Sequence, residues 1–293
     1  MTKASEVWLI TGGSSGPNPS LALNCLERGI KVIATARNVS KATIAAPELE
    51  KRGGKWLELD VTQRSTQKIV RDVVVKEQVT CIVNSAGTCL LGAVEDISDE
   101  ECQLQLETNL FGALRVIRGA LPHFRERNSG IIINMSSGAG VIGRPGMGLY
   151  SASKFALEGV SEALYSELAP FNIKTLLVVL GTFRTPFANN VVYPKAAAEH
   201  TGGNGAVSAP YLRGAVNDTI DRVRPFSETA PGDPAKAAKM IVNMAFQEGD
   251  AKDVGNHLRL ILGTDSMKVC RIKEAMFREN LDALEELAGR SDF

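Results

Sequence analysis

A tyrosine and a lysine four residues apart, Tyr150 and Lys154, are the pair in this sequence best suited to proton transfer. The four-residue spacing places both side chains on one face of a helix. An ammonium beside a phenol favours the phenolate, so we expect Lys154 to lower the pKa of Tyr150. Such a phenol can donate and accept protons near neutral pH, which accelerates a reaction by about 10² to 10⁴. Taken alone, the pair is better explained as an ordinary exposed tyrosine and lysine.

A serine precedes this tyrosine by thirteen residues (150 − 137) and ends an apolar run. Ligands of open parallel sheets bind at the carboxyl ends of the strands. Ser137 at such an end could donate a hydrogen bond to a substrate carbonyl. Capping a turn is the alternative role for a serine in this position.

A turn rich in glycine and serine, Thr11-Gly12-Gly13-Ser14-Ser15-Gly16, separates the first apolar run from the first helical segment. Glycines allow a tight turn and the close approach of a diphosphate to a helix N-terminus. The strand, turn and helix setting favours a phosphate loop over a turn that binds no ligand.

Apolar runs alternate with amphipathic segments along most of the chain, and these elements must position the candidate residues. Continuous runs of apolar and β-branched residues are typical of parallel strands buried on both faces. We therefore predict an α/β fold, a single-domain, Rossmann-like, doubly wound parallel sheet of about seven strands spanning residues 1–293. The predicted strands are 7–10, 31–35, 56–59, 81–83, 131–135, 174–180 and 258–262, and the predicted helices are 21–28, 65–77, 100–126, 149–169 and 268–287.

Residues 186–233, after the sixth strand, break this alternation. They contain Gly202-Gly203-Asn204-Gly205, several prolines and few regular patterns. A long irregular segment of this kind is often functional, so we predict a substrate lid. Its apolar and aromatic members suit a bulky, largely apolar small molecule. Residues 268–293 are expected to form a C-terminal helical tail.

Composition and charge argue against several other classes of protein. Lys and Arg total 33 and Asp and Glu total 33, so no net positive field would recruit nucleic acid. Five cysteines without a C-x-x-C pair and three scattered histidines predict neither disulfides nor a metal site. No apolar run approaches the roughly 20 residues of a membrane span. The N-terminal residues have no signal-peptide pattern, so a cytoplasmic location is expected.

These motifs, in this order, resemble the short-chain dehydrogenase/reductase family, and the resemblance covers nearly the whole chain. The nearest branch is the 17β-hydroxysteroid and retinol dehydrogenase-like group, which includes many fungal members. The matching segments are Thr11–Gly16, Asp60-Val61, Asn84-Ser85-Ala86-Gly87, Asn109, Ser137, Tyr150–Gly159, Gly181–Thr185 and Gly232–Ala238.

The resemblance implies a role for each of four catalytic residues. Tyr150 would be the general acid that protonates a carbonyl oxygen as hydride arrives, and Ser137 would orient that carbonyl. Lys154 would hold ribose hydroxyls and lower the pKa of the tyrosine. Asn109 would position a water in a proton relay to Lys154. The resemblance also implies a homodimer or homotetramer, with the helices around Asn109 and Tyr150 at the subunit interface.

The resemblance further implies a nicotinamide cofactor, which supplies the hydride. Arg37 follows the second strand where NAD-preferring relatives carry an acid, and a guanidinium suits a 2′-phosphate. We therefore expect NADP(H), although an exposed loop arginine is the alternative. The expected cofactor-binding residues are Thr11, Gly12, Ser14, Ser15, Gly16, Arg37, Asp60, Val61, Asn84, Ala86, Gly87, Tyr150, Lys154, Gly181, Thr182 and Thr185.

The chain departs from the family pattern in its phosphate loop. The third glycine of the family is Asn18 here, and Pro17 and Pro19 have no backbone N–H to offer a diphosphate. Leu180 is a milder change, since relatives usually have proline before Gly181.

Three functional hypotheses follow. The first is an NADPH-dependent carbonyl reductase or alcohol dehydrogenase. The second is a family-derived isomerase, cyclase or dehydratase that keeps Tyr150 and Lys154 for acid–base chemistry, and the third is a catalytically silent binding protein.

Overall fold

A seven-stranded sheet forms the centre of the molecule in the computed structural model, which describes residues 3–200 and 207–291. The order of its strands is β3-β2-β1-β4-β6-β7-β9, and every neighbouring pair is parallel. Two short strands, β5 and β8, pair separately. The strands are β1 (Val7–Ile10), β2 (Lys31–Ala36), β3 (Lys55–Glu58), β4 (Cys81–Asn84), β5 (Cys89–Leu90), β6 (Gly130–Ser137), β7 (Ile173–Leu180), β8 (Val191–Val192) and β9 (Arg259–Leu262).

Helices cover both faces of this sheet. They are α1 (Asn18–Glu27), α2 (Val39–Ala45), α3 (Glu48–Lys51), α4 (Thr66–Lys76), α5 (Asp99–Leu106), α6 (Gly112–Glu126), α7 (Gly148–Glu167), α8 (Lys195–His200), α9 (Ala215–Val223), α10 (Phe226–Thr229), α11 (Pro234–Phe246) and α12 (Thr264–Gly289). This arrangement confirms the predicted single-domain, Rossmann-like α/β fold.

Alternate residues of each central strand enter different halves of the core, because successive side chains of a strand point to opposite faces. Trp8 and Ile10 pack with α1 and α11 on one face. Leu9 packs with α4 and α6 on the other. Burial on both faces explains why the strands are continuous apolar runs in the sequence.

The long helix predicted over 100–126 is divided in two by a π-helical turn. Helix α5 begins with a capping box between Ser98 and Glu101. The π-helical turn, Glu107–Phe111, connects α5 to α6 and carries Asn109. Such turns occur frequently at functional sites.

Helix α11 lies where the sequence analysis predicts no helix. Asp233 caps it by accepting hydrogen bonds from the N–H groups of Ala235 (2.8 Å) and Lys236 (3.3 Å), and Pro234 occupies the first turn. Lys236 and Lys239 are exposed, whereas Ala237, Ala238 and residues 241–245 are buried, so the helix has an apolar face and a polar face. The Asp-Pro start was the signal that could have revealed it.

The described part of residues 186–233 is more regular than predicted, since it contains β8, α8, α9 and α10. Ile220 and Val223 pack in a cluster with Met147 and Tyr150. The glycine-rich stretch 202–205, which contributed to the expectation of an irregular lid, lies outside the described residues. Helix α12 begins at Thr264, four residues before the predicted tail.

None of the helices in the described ranges is both long and apolar enough to cross a bilayer. The same ranges contain no cluster of metal-ligating side chains. All five cysteines have free thiols.

Candidate active site

The predicted catalytic residues converge at the carboxyl end of the central strands. Ser137 ends β6, and Tyr150 and Lys154 lie one turn apart on α7. The Lys154 Nζ is 5.9 Å from the centre of the Tyr150 ring and donates a 2.8 Å hydrogen bond to the carbonyl of Met135. Tyr150 and Lys154 are 7% and 8% exposed, so both are buried, which excludes an ordinary surface pair.

Burial controls the protonation of this pair. It raises the pKa of Tyr150 well above its usual range, with a further rise from Cys89, while a hydrogen bond with Ser137 opposes the rise. Burial lowers the pKa of Lys154 to about 8, although Cys89 and Glu158 oppose that shift. The expected lowering of the tyrosine pKa by Lys154 is therefore wrong for this structure. The cost of burying a phenolate outweighs the effect of a nearby amine that is itself poorly solvated.

Asn109 is buried in the π-helical turn and fixes two neighbouring segments. Its Oδ1 accepts the N–H of Thr88 at 2.8 Å. Its Nδ2 donates to the carbonyl of Thr88 and to Ser153 Oγ on α7, each at 3.0 Å. One acceptor site of Oδ1 remains free for a further hydrogen bond in this set of contacts.

The glycine-rich loop is attached to the end of β4 through a threonine. Thr11 Oγ1 donates to the carbonyl of Val83 (3.1 Å) and accepts the N–H groups of Ser85 (3.0 Å) and Ala86 (3.1 Å). Gly12 and Gly16 have φ values of +66° and +61°, which glycine adopts without strain. Ser14 is half-buried, whereas Ser15 is exposed on the cavity wall. Thr11 thus organises the loop through its side chain, a role that its position in the motif does not reveal.

The departures from the family pattern change the interior of this loop. Asn18 is 2% exposed, and its Nδ2 donates a 2.8 Å hydrogen bond to the carbonyl of Gly12. Its Oδ1 is buried and has no hydrogen-bond partner within the described part of the chain. Pro17, directly before α1, lines the cavity without an N–H to donate. The asparagine therefore braces the loop from inside, where the family has a glycine.

Arg37 lies at the sheet edge close to Asp60. Arg37 is exposed after β2. Burial raises the pKa of Asp60, but hydrogen bonds from Thr62 and the charge of Arg37 lower it by more. The Asp60 Oδ1 accepts the Thr62 N–H at 3.0 Å and its hydroxyl at 2.8 Å. Val61 is buried next to it. The geometry leaves the Arg37 guanidinium accessible.

Asn84 joins the cofactor side of the sheet to the catalytic helix. Its Nδ2 donates to Asn134 Oδ1 at 2.8 Å, and Asn134 Nδ2 donates to Ser161 Oγ on α7 at 2.9 Å. The Asn84 Oδ1 is buried without a hydrogen-bond partner among the described residues. Gly87 lines the adjacent cavity wall together with Lys154.

The loop after β7 is held by a residue that the sequence analysis missed, Asp265. The Asp265 Oδ2 accepts both the N–H and the hydroxyl of Thr182 at 2.8 Å. A Cβ at Gly181 would lie only 2.0 Å from Asp265 Oδ1, so only glycine fits there. Thr185 is buried at the end of the same loop. The Thr-Asp-Ser start of α12 was the available signal, and nothing local indicated its contact with residue 182.

A buried carboxylate one turn beyond Lys154, Glu158, was also missed. Its Oε1 accepts the Ser136 hydroxyl at 2.6 Å, and its Oε2 accepts Arg259 Nε at 2.9 Å. Burial raises its pKa, and its bonds to Ser136 and Arg259 oppose the rise. These contacts connect α7 to β6 and β9 and thereby fix the orientation of the catalytic helix.

Two adjoining cavities meet at Tyr150. The glycine-loop cavity is lined by the loop residues Ser15–Asn18, by Gly87 and by Lys154. The apolar cavity is lined by Met147, Phe183, Val223 and Phe226, among others. Both share the lining residues Gly16, Pro17, Ser136, Tyr150, Leu180 and Phe187. A proton donor at this junction can act on one molecule bound across both cavities or on two molecules bound side by side.

Comparisons with known proteins agree with this architecture. A model of the short chain dehydrogenase family matches residues 6–195. Over 184 residues the chain is 46% identical to oxidoreductase claN of the fungus Passalora fulva, spanning 62% of this chain and 84% of that protein. Oxidoreductase BOA17 of the fungus Botryotinia fuckeliana is 30% identical over 266 residues, spanning 90% of this chain and 91% of that protein.

A crystal structure of a short-chain dehydrogenase from Streptomyces avermitilis has a TM-score of 0.82 and 33% sequence identity to this chain. The match covers 98% of this chain and 99% of that chain. Both fungal relatives are named oxidoreductases, which supports the fungal-type branch suggested by the motifs. The chain therefore belongs to the short-chain dehydrogenase/reductase family of oxidoreductases.

Proposed function

We propose that the protein is an NADPH-dependent oxidoreductase that interconverts a carbonyl and an alcohol on a bulky, largely apolar small molecule. Tyr150 is the general acid and base of this reaction. The observation that carries the proposal is the position of Tyr150, buried where the glycine-loop cavity meets the apolar cavity. One cavity suits a dinucleotide and the other suits the substrate.

The residues of the glycine-loop cavity fit a nicotinamide dinucleotide. A Cβ at Gly16 would meet nothing within 4 Å, so the backbone of the loop is open to a ligand. The loop 12–16 would hold the diphosphate and Lys154 the ribose. Arg37, outside the lining of both cavities, would hold a 2′-phosphate. Residues 181–185, four of which line the adjoining apolar cavity, would hold the nicotinamide at the junction of the two cavities. Thr11, Asp60, Val61, Asn84, Ala86 and Gly87 would form the remaining cofactor contacts, or support them. The cofactor supplies hydride when it is bound.

The protein groups would supply orientation and the proton. Ser137 orients the substrate carbonyl and interacts with Tyr150. Tyr150 is protonated at neutral pH and would donate to the carbonyl oxygen, although burial raises its pKa and so makes it a weaker acid than an exposed tyrosine. Lys154, with a pKa of about 8, can return a proton to the tyrosine after each turnover. Asn109 holds α7 in place through Ser153 and has an acceptor site for a water in this relay.

A second candidate function, a non-redox enzyme such as an isomerase, cyclase or dehydratase, is favoured by one observation. Asn18 fills the loop interior and Pro17 offers no N–H, which together weaken a diphosphate site. Tyr150 and Lys154 would then serve acid–base chemistry alone. The buried arrangement of Ser137, Tyr150 and Lys154 argues against the third hypothesis, a silent binding protein, because binding alone needs none of them.

The test is a titration of the purified protein with NADPH and with NADH, followed by incubation with bulky ketones. We expect binding of NADPH, and loss of its absorbance together with formation of an alcohol. Conversion of a substrate without consumption of NADPH would instead establish the non-redox function. Absence of both binding and conversion would reject both enzymatic functions. A cytoplasmic location and a homodimer or homotetramer remain predictions.

A further inference from the structure

Two arginines line the apolar cavity next to Tyr150. Arg144 belongs to the segment before α7, and Arg222 lies on α9, within the segment predicted to be the lid. The neighbouring walls are formed by Phe183, Phe187 and other apolar side chains. Arg222 is exposed, but Arg144 is half-buried, and a half-buried guanidinium is an unexpected cost in a cavity that holds only an apolar molecule.

The two positive charges are close enough to affect each other. Burial lowers the pKa of half-buried Arg144, the charge of Arg222 lowers it further, and Asp265 opposes the shift. Among the described residues, Asp265 is the one acidic residue in the lining of this cavity. Its Oδ2 binds Thr182, and its Oδ1 is buried without a hydrogen-bond partner in the described part of the chain. The described lining therefore carries two cations against a single carboxylate.

Neither arginine is neutralised by a salt bridge among the residues that the structure describes. Arg222 Nη2 donates to a neutral partner, the hydroxyl of Thr219, at 3.1 Å. Asp221, the adjacent acid, pairs instead with Arg224 at 2.8 Å. Two like charges that face one cavity, with a single carboxylate to offset them, are stabilised when a further anion binds near both.

We propose that Arg144 and Arg222 bind a carboxylate of the substrate, so that the substrate class is an apolar carbonyl or alcohol bearing an acidic group. This rests on the proposed function, because the apolar cavity is assigned to the substrate there. The planar guanidinium forks match a carboxylate. Phe183, Phe187 and Phe226 hold the apolar body, and the carbonyl faces Tyr150.

The test compares anthracene-2-carboxylate with its methyl ester, each followed by its own fluorescence as the protein is added. The two probes share the apolar body and differ in the charge. We expect the acid to bind at least about tenfold more tightly than the ester at neutral pH. R144Q/R222Q should lose this preference while its affinity for the ester stays unchanged. R222Q alone, at an exposed position that tolerates substitution, should reduce the preference and remain folded.

R213Q is the matched control, because Arg213 is exposed, lies outside the cavity lining and removes the same charge. Three results would overturn the proposal: equal affinity of the unmutated protein for acid and ester, an equal loss of preference in R213Q, or no binding of either probe up to about 1 mM. The measurement involves no hydride transfer. If the protein does not bind NADPH but still prefers the acid to the ester, the proposed redox reaction is wrong, and the proposed binding of a carboxylate by Arg144 and Arg222 stands.

Discussion

At Tyr150, burial and the neighbouring Cys89 raise the pKa of the phenol, and the hydrogen bond with Ser137 opposes them. The spacing of Tyr150 and Lys154 suggests an ammonium that stabilises a phenolate. In the structure both groups are buried, and the Lys154 amine donates to the carbonyl of Met135. Burial disfavours the charged form of each group. Tyr150 therefore stays protonated at neutral pH, as the proposed reduction requires of its proton donor.

Replacing Tyr150 by Phe removes this donor and leaves the cavity shape nearly unchanged. We expect the rate of carbonyl reduction to fall by about 10² to 10⁴. Initial rates with a substrate found by the ketone screen measure the loss. Tyr165→Phe, on the same helix with its hydroxyl bonded to the carbonyl of Asn256, is the control and should retain full rate. Near-full turnover by Tyr150→Phe would mean that the proton comes from another group.

Lys154 predicts a specific dependence of stability on pH. Its pKa is about 8 in the folded protein and 10.5 in the reference state. The folded protein thus binds fewer protons than the unfolded chain between these values, so the cost of burying the lysine falls as pH rises through that window. Lys154→Met should be more stable than the unmutated protein, and its advantage should be about 1 kcal/mol smaller at pH 9 than at pH 7.

Urea unfolding of both proteins at the two pH values measures this change. The other titrating groups are common to both proteins and cancel in the difference. Lys252→Met, at an exposed position, should show no such change. An advantage of Lys154→Met that is the same at both pH values would contradict the lowered lysine pKa.

Arg37 predicts the choice of cofactor. Its exposed guanidinium can pair with a 2′-phosphate, a contact that contributes about 1.5 to 3 kcal/mol, or one to two decades of affinity. Arg37→Ala should weaken NADPH binding by this amount and leave NADH binding unchanged. Fluorescence titration with NADPH and with NADH measures the dissociation constant of each cofactor. Arg71→Ala, on the exposed face of α4, is the charge-matched control. Equal affinity of the unmutated protein for NADPH and NADH would remove the basis of this prediction.

At the scale of elements, the turn between β1 and α1 combines an open backbone with an internal brace. Pro17 removes one N–H donor, which costs about 1.5 to 3 kcal/mol where a charged group would have accepted it. Pro17→Ile with Asn18→Gly should therefore tighten NADPH binding by at least about tenfold, or 1.4 kcal/mol. Pro17→Ile alone restores the N–H donor and keeps the hydrogen bond from Asn18 to Gly12. It therefore separates the effect of the missing N–H from the effect of the asparagine side chain.

Titration of the unmutated protein, Pro17→Ile and the double variant with NADPH measures how the loop affects the dissociation constant of the cofactor. Weak binding that the double change strengthens supports a loop with reduced affinity for the diphosphate. Tight binding by the unmutated protein, with no gain in the variants, would contradict the prediction and show that the braced loop accepts the cofactor as it stands.

At the scale of the whole molecule, large apolar side chains are exposed on the helices expected at a subunit interface. Leu104 is 58% exposed on α5, Phe111 45% in the π-helical turn, and Phe155 39% on α7. Exposed apolar side chains that share one surface often mark an interaction site. They support the predicted homodimer or homotetramer.

Charged substitutions at these positions should dissociate the predicted oligomer. We expect Phe111→Glu with Phe155→Glu to shift the mass measured by light scattering to that of a monomer. Ile44→Glu, at an 81% exposed position on α2, should leave the mass unchanged. A monomer in the unmutated protein at micromolar concentration would contradict the predicted assembly.

The sequence by itself determined the features that depend on local pattern. Buried parallel strands appear as continuous apolar runs, so the seven strands and the α/β class were predictable. The loop at 11–16 and the spacing of Ser137, Tyr150 and Lys154 lie within short segments, and their ordered occurrence identified the family. Helix α11 was missed although local signals for it are present, namely the Asp233-Pro234 start and the lysines at 236 and 239 among buried apolar residues.

Only the tertiary structure decided which distant groups meet. Glu158 pairs with Arg259 across 101 positions, and Asp265 holds Thr182 across 83. Arg144 and Arg222 reach one cavity from separate elements. The pKa of Tyr150 was wrongly predicted for the same reason, since spacing along a helix states which groups are neighbours but not how deeply both are buried. Burial is set by the whole fold, and at this tyrosine it outweighs the local charge.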